Sequence, residues 1–156
     1  MSGSWRLRPR ASSSRRPRPP PRPNAVLRSG LIERLSEDLG RGRALVLVSA
    51  PAGFGKSTLL SAWVDHRLRQ DPKLRAAWLS LDEGDSDPSR FLLYLAAALH
   101  GVEPECGGDA MAVLQSPRPP SAESILTDLI NEIDGIAGDI LLVLDDYHAV
   151  RSPEVD

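Results

Sequence analysis

Leu45-Val46-Leu47-Val48-Ser49-Ala50-Pro51-Ala52-Gly53-Phe54-Gly55-Lys56-Ser57-Thr58-Leu59-Leu60 is the stretch whose reading decides the fold. Its aliphatic, partly β-branched start suits a strand buried on both faces, predicted over Arg43–Ser49. The run stops at a loop with no large side chain except Phe54. A helical pattern then begins, with Leu59, Leu60, Trp63, Val64 and Leu68 on one face of a helix predicted over Lys56–Leu68. Strand, small-residue loop and helix in this order are built to hold phosphate. Backbone N–H groups from about Gly53 to Ser57 turn inward and donate to phosphate oxygens. The helix adds its unpaired N-terminal N–H groups and the positive end of its dipole. The spacing Ala50-x4-Gly55-Lys56-Ser57 departs from the strict phosphate-loop form only in having Ala first. In this reading Lys56 reaches the β/γ oxygens as a point charge, and the Ser57 hydroxyl ligates Mg2+. The candidate cofactor-binding residues are Ala52, Gly53, Phe54, Gly55, Lys56, Ser57 and Thr58, with Lys56 also a catalytic candidate.

Downstream, helices and strands alternate. Ala76–Leu81 reads as a second buried strand. The acidic run Asp82-Glu83-Gly84-Asp85-Ser86-Asp87 follows and is expected to be a solvated loop. Its spacing does not match a calcium loop, since the twelfth position counted from Asp85 is Ala96. Asp87 caps a helix over Pro88–His100, with proline at its first position. Gly101–Pro120 reads as a Gly- and Pro-rich loop. Ser121 caps a helix to about Asp134, with Ile125, Leu126, Leu129, Ile130 and Ile133 expected to face inward. Asp139–Asp146, Asp-Ile-Leu-Leu-Val-Leu-Asp-Asp, reads as a third buried strand ending in two carboxylates.

Strand–helix alternation predicts an α/β fold with a parallel sheet and right-handed crossovers. Ligands of such sheets lie outside the carboxyl ends of the strands. Asp145 and Asp146 therefore belong at the same edge as Lys56 and Ser57. Four apolar residues followed by Asp form the Walker B pattern, so Asp145 is the candidate Mg2+ residue beside Ser57. Asp146 is the candidate that orients or deprotonates an attacking water. His148 is either a γ-phosphate sensor or packed against the loop, and Arg28 either a nucleotide contact or the residue before a helix, with structure favoured for both; Cys106 is assigned no chemistry.

Upstream and in bulk, the 156 residues suffice for one domain with a core. Met1–Pro23 is an Arg/Pro/Ser-rich leader predicted to be disordered, because it cannot bury enough apolar surface to offset its ordering entropy. It lacks the apolar stretch of an export signal. Residues 1–28 hold eight Arg and no acid; the rest hold 11 basic residues against 21 acidic, a net charge of −10. So acidic a body argues against a nucleic-acid surface within it. The single cysteine excludes an internal disulfide. No apolar run approaches the roughly 18 residues of a membrane span. Ser29–Leu39 reads as an amphipathic helix stopped by Gly40.

Several stretches together resemble one family. They are Ser49–Thr58; Ala77-Trp78-Leu79-Ser80-Leu81-Asp82-Glu83-Gly84-Asp85-Ser86-Asp87-Pro88; Arg90-Phe91; Tyr94-Leu95; and Leu144-Asp145-Asp146-Tyr147-His148. In these the chain resembles the N-terminal part of the large LuxR-type regulators of the maltose-regulator-like branch of the STAND signalling NTPases. Residues 24–156 carry the likeness. It implies an incomplete P-loop NTPase domain, a three-layer α/β/α parallel sheet, truncated at its C-terminal side before a further central strand. It also implies ATP and Mg2+ as cofactors, and a cytoplasmic switch that ATP turns on and slow hydrolysis resets. DNA would be bound through a C-terminal helix-turn-helix absent from this chain. An inducer would be sensed elsewhere, and the longer protein would self-associate, with no membrane partner. Two other readings stay open: a small P-loop metabolic kinase with Asp82–Asp87 at its acceptor site, and an ATP-binding remnant without function of its own.

Overall fold

The computed structural model describes residues 29–40, 48 and 53–150. The predicted leader, Arg28, Ala50 and Ala52 lie outside the described residues, as does the predicted first strand except Val48. Two helices come first, α1 (Ser29–Gly40) and α2 (Lys56–Gln70). They are followed by strand β1 (Arg75–Ser80), α3 (Pro88–His100), α4 (Gly108–Leu114), α5 (Ala122–Asp134) and strand β2 (Ile140–Asp145). Short 3-10 turns follow each strand, at Glu83–Ser86 and Tyr147–Ala149.

Among the described residues the sheet has two strands, β1 and β2, paired in parallel from Arg75↔Ile140 to Ser80↔Asp145. The fold is thus α/β, with a crossover of three helices between parallel neighbours. Each face of the sheet carries its own core. On one, Trp63 and Val64 of α2 pack with Ile32 and Leu35 of α1 and Val143 of β2, and Val48 packs against this group. Trp63 Nε1 donates to Ser36 Oγ at 3.1 Å, which satisfies the indole and ties α2 to α1. On the other face, Leu92, Leu95, Ala96 and Leu99 of α3 cover Ala77 and Leu79 of β1 together with Ile125 and Leu129 of α5. A buried leucine here stabilises the fold by about 1.5–3 kcal/mol.

Three expectations about the elements are corrected. The stretch 101–120 is not all loop, because α4 forms within it. Gly107, at φ 79, turns the chain into α4, which packs Ala110 into the α3 core with Met111 and Leu114 against it. The apolar periodicity there is too short to stand out among glycines and prolines. Second, α5 buries only part of its apolar face. Ile125 and Leu129 are inside, whereas Leu126, Ile130 and Ile133 are 42%, 56% and 37% exposed. The neighbours α3 and α4 cover a single stripe, narrower than the apolar arc of the helix. Leu142 of β2 is also exposed, so β2 is not the fully buried strand expected.

Candidate functional site

The glycines that open α2 show why this loop needs them. Gly53 and Gly55 have φ 83 and φ 77, the left-handed region that costs other residues energy. A Cβ at either would meet nothing within 4 Å, so backbone conformation alone demands glycine. Gly55 is the residue before the helix, and no side chain caps the first turn. Phe54 between the glycines is 61% exposed. Lys56 is the first residue of α2, with Ser57 and Thr58 in the same turn.

The direction of α2 follows from its other end. A turn over 71–74 links it to β1, with Lys73 N donating to the Asp71 carboxylate at 2.9 Å. Gly138, just before β2, lies against the Lys73 carbonyl. The last turn of α2 thus meets the amino-terminal edge of the sheet. A 15-residue helix spans about 22 Å, about the length of a six-residue strand. A helix of that length lying along the sheet would bring its Lys56 end toward the carboxyl edge, where β1 and β2 finish.

At that edge Asp145 is the last residue of β2 and only 6% exposed. One of its oxygens accepts from Asp146 N at 3.1 Å. Asp146 is the sole non-glycine residue of positive φ among the described residues, at φ 59. Asp tolerates this region better than most residues, yet the conformation persists only if its surroundings enforce it. His148 is exposed in the turn beyond.

The donors suit the expected cofactor. A hydroxyl and a carboxylate are hard oxygen ligands, and Mg2+ characteristically takes one or two of these plus phosphate oxygens and water. Among the described residues no three His, Cys, Asp or Glu side chains are grouped to hold a metal by themselves.

Arg90 carries a structural role that the sequence pattern did not assign to it. Its Nη2 donates to both oxygens of Asp82 at 3.1 Å, and its Nε lies 3.4 Å from an oxygen of the fully buried Asp85. The signal was present: a cluster of acids with a single Arg three residues after the cap Asp87. The expectation of a solvated acidic loop is corrected for Asp85, which lies inside a hydrogen-bonded 3-10 turn, while Asp82, Glu83 and Asp87 are exposed. Cys106 is buried, and burial raises its thiol pKa, with the Glu132 and Glu103 carboxylates adding to the effect. The sequence placed no His near it, but His100 Nδ1 lies 3.1 Å from the Cys106 carbonyl oxygen. The contact is to backbone and does not activate the thiol.

Known proteins are similar to this chain in sequence. The chain is 33% identical, over 132 residues and 85% of its length, to the HTH-type transcriptional regulator MalT of Cronobacter sakazakii. The same identity and coverage relate it to MalT of two Klebsiella pneumoniae strains. The chain is a homologue of the MalT regulators, which are of the LuxR type. It spans 14% of the length of these MalT relatives. No protein-family model matches it.

Proposed function

We propose that this chain is the ATP-binding switch module of a MalT-like transcriptional regulator. The observation that carries the reading is the opening of α2: two left-handed glycines and an uncapped helix N-terminus immediately before Lys56-Ser57-Thr58. Anions bind where such N–H groups converge. Gly53, Phe54 and Gly55, with Ala52 before them, wrap the phosphates through their backbone. Lys56 neutralises the β/γ charge, and the Thr58 N–H adds a donor. Ser57 and Asp145 would hold Mg2+, which would supply positive charge to neutralise the phosphate oxygens. Asp146 accepts a proton from, or orients, the water that attacks the γ-phosphate. Hydrolysis in this reading is slow and serves to reset the switch.

The longer relatives carry the name of helix-turn-helix regulators, and DNA contact is assigned to regions outside this chain. The acidic body fits that division. No helix of the described residues is long and apolar enough to cross a membrane, in keeping with a cytoplasmic regulator that self-associates in response to nucleotide and inducer. The kinase reading is disfavoured because Asp82 and Asp85 are engaged by Arg90 and by the turn itself.

Calorimetric titration of the full chain with ATP and Mg2+ tests the reading. Lys56→Ala removes a charge-assisted contact worth about 1.5–3 kcal/mol, so affinity falls about 10- to 100-fold. Equal affinity in the two proteins, with both folded by circular dichroism, refutes it.

A further inference from the structure

The two halves of the site rest on different cores. Lys56 and its neighbours stand on α2, which belongs to the Trp63–Val143 core. The turn after β2 stands on the other core, through Tyr147 and Val150, alongside Leu81, Phe91 and Tyr94. What borders that turn is the 3-10 turn Glu83–Ser86, which is in contact with Tyr147–Ala149. The link is continuous through backbone: Leu81 N donates to the Asp145 carbonyl at 2.9 Å, and Asp82 begins the 3-10 turn.

That bordering turn is unusually well fastened. An Asp82 oxygen accepts from Gly84 N, and an Asp85 oxygen accepts from Asp82 N, both at 2.8 Å. Arg90 joins these two carboxylates from α3, where its own N–H donates to Asp87 at 2.7 Å. Its guanidinium also sits 5.7 Å from the centre of the Tyr94 ring. Gly84 leaves room for it, because a Cβ there would collide with the guanidinium. Asp85 is fully buried, and a buried carboxylate deprived of its cation is destabilised.

We propose that Arg90 is a positioning residue for Asp145 and Asp146, acting through the Asp82–Asp85 turn. Arg90 holds that turn as a wall against Tyr147–Ala149. The wall keeps Asp146 in its left-handed conformation and fixes the Asp145 carbonyl through Leu81. This inference rests on the nucleotide reading above for its catalytic consequence, and on geometry alone for the positioning itself. Because the phosphate loop stands on the other core, loss of Arg90 separates metal-dependent steps from phosphate binding.

The test uses Arg90→Met, Arg90→Lys and Gly84→Ala in the full chain. Hydrogen exchange without nucleotide reads the positioning. Arg90→Met is expected to speed exchange at Ala149 and Val150 about tenfold while leaving the α2 amides of Leu60–Val64 unchanged. Arg90→Lys, which keeps a cation beside Asp85, restores much of the protection. Gly84→Ala, which displaces the guanidinium without deleting it, reproduces the Arg90→Met pattern. In turnover, Arg90→Met lowers kcat about tenfold and raises the Mg2+ requirement, with KM for ATP within about twofold. Unchanged exchange at Ala149 and Val150, or an equal rise in both cores, overturns the proposal. If wild type does not bind ATP, the nucleotide reading fails while the exchange result still decides the role of Arg90. If Arg90→Met does not fold, exchange in Arg90→Lys and Gly84→Ala decides the same question.

Discussion

Replacing Gly107 by alanine separates backbone strain from steric overlap, with Gly53→Ala as its partner. The two glycines have nearly the same conformation, φ 79 and φ 83. A left-handed alanine costs about 1–2 kcal/mol at either. Their surroundings differ. At Gly53 a Cβ meets nothing within 4 Å. At Gly107 it collides with the carbonyl oxygen of Ala96 and lies 3.0 Å and 3.2 Å from the carbonyl carbon and Cα of that residue. Ala96 is fully buried in the middle of α3, and the offending atoms are backbone, so the helix cannot yield by a side-chain rotation. Overpacking of this kind adds about 1–3 kcal/mol. Gly107 N–H also donates to the Glu132 carboxylate of α5, so a shift there disturbs both neighbours. The total for Gly107→Ala is about 2–5 kcal/mol, against about 1–2 for Gly53→Ala. Urea unfolding followed by tryptophan fluorescence reports it, since Trp63 is buried. With a slope of about 2 kcal/mol per molar, Gly107→Ala lowers the midpoint by about 1–2.5 M and Gly53→Ala by about 0.5–1 M. Equal losses in the two variants would show that the close approach of Gly107 to α3 is not a constraint in solution.

Other outcomes are expected. On α5, Leu129→Ala costs about 2–5 kcal/mol, while Ile130→Ser changes stability by no more than about 0.5 kcal/mol, because only the first is buried; comparable urea midpoints contradict the burial. Asp146→Ala leaves ATP affinity close to wild type and slows hydrolysis about 100-fold, the span of a general-base contribution, read by phosphate release; an unaltered rate removes Asp146 from the mechanism. The raised Cys106 pKa fixes a sign for alkaline pH. The unfolded thiol loses its proton first, so stability is intact below its ordinary value and falls as pH rises through and above it. Cys106→Ala flattens that fall in thermal melts between about pH 8 and 10, and an unchanged slope refutes the attribution.

The order of elements was legible because it rests on local rules. Apolar period and caps placed α1, α2, α3 and α5 to within a residue or two, as Asp87 before Pro88 and Ser121 before α5 show. The two glycines before α2 and the carboxylate ending β2 were also readable as local features, since turn chemistry and strand ends are written in residue types. α4 was not, because a helix of seven residues owes its existence to the α3 surface it covers.

What the sequence determined by itself, then, is the alternation that makes a parallel α/β unit. Tertiary structure alone decided which of the apolar residues on α5 are buried, because burial depends on how much neighbour is present. It alone decided that Asp85 goes inside and that Arg90 reaches it from α3. An acidic run looks solvated until a cation on another element neutralises it. That pairing, eight residues apart for Asp82 and Arg90, is set by where the end of β1 meets the start of α3.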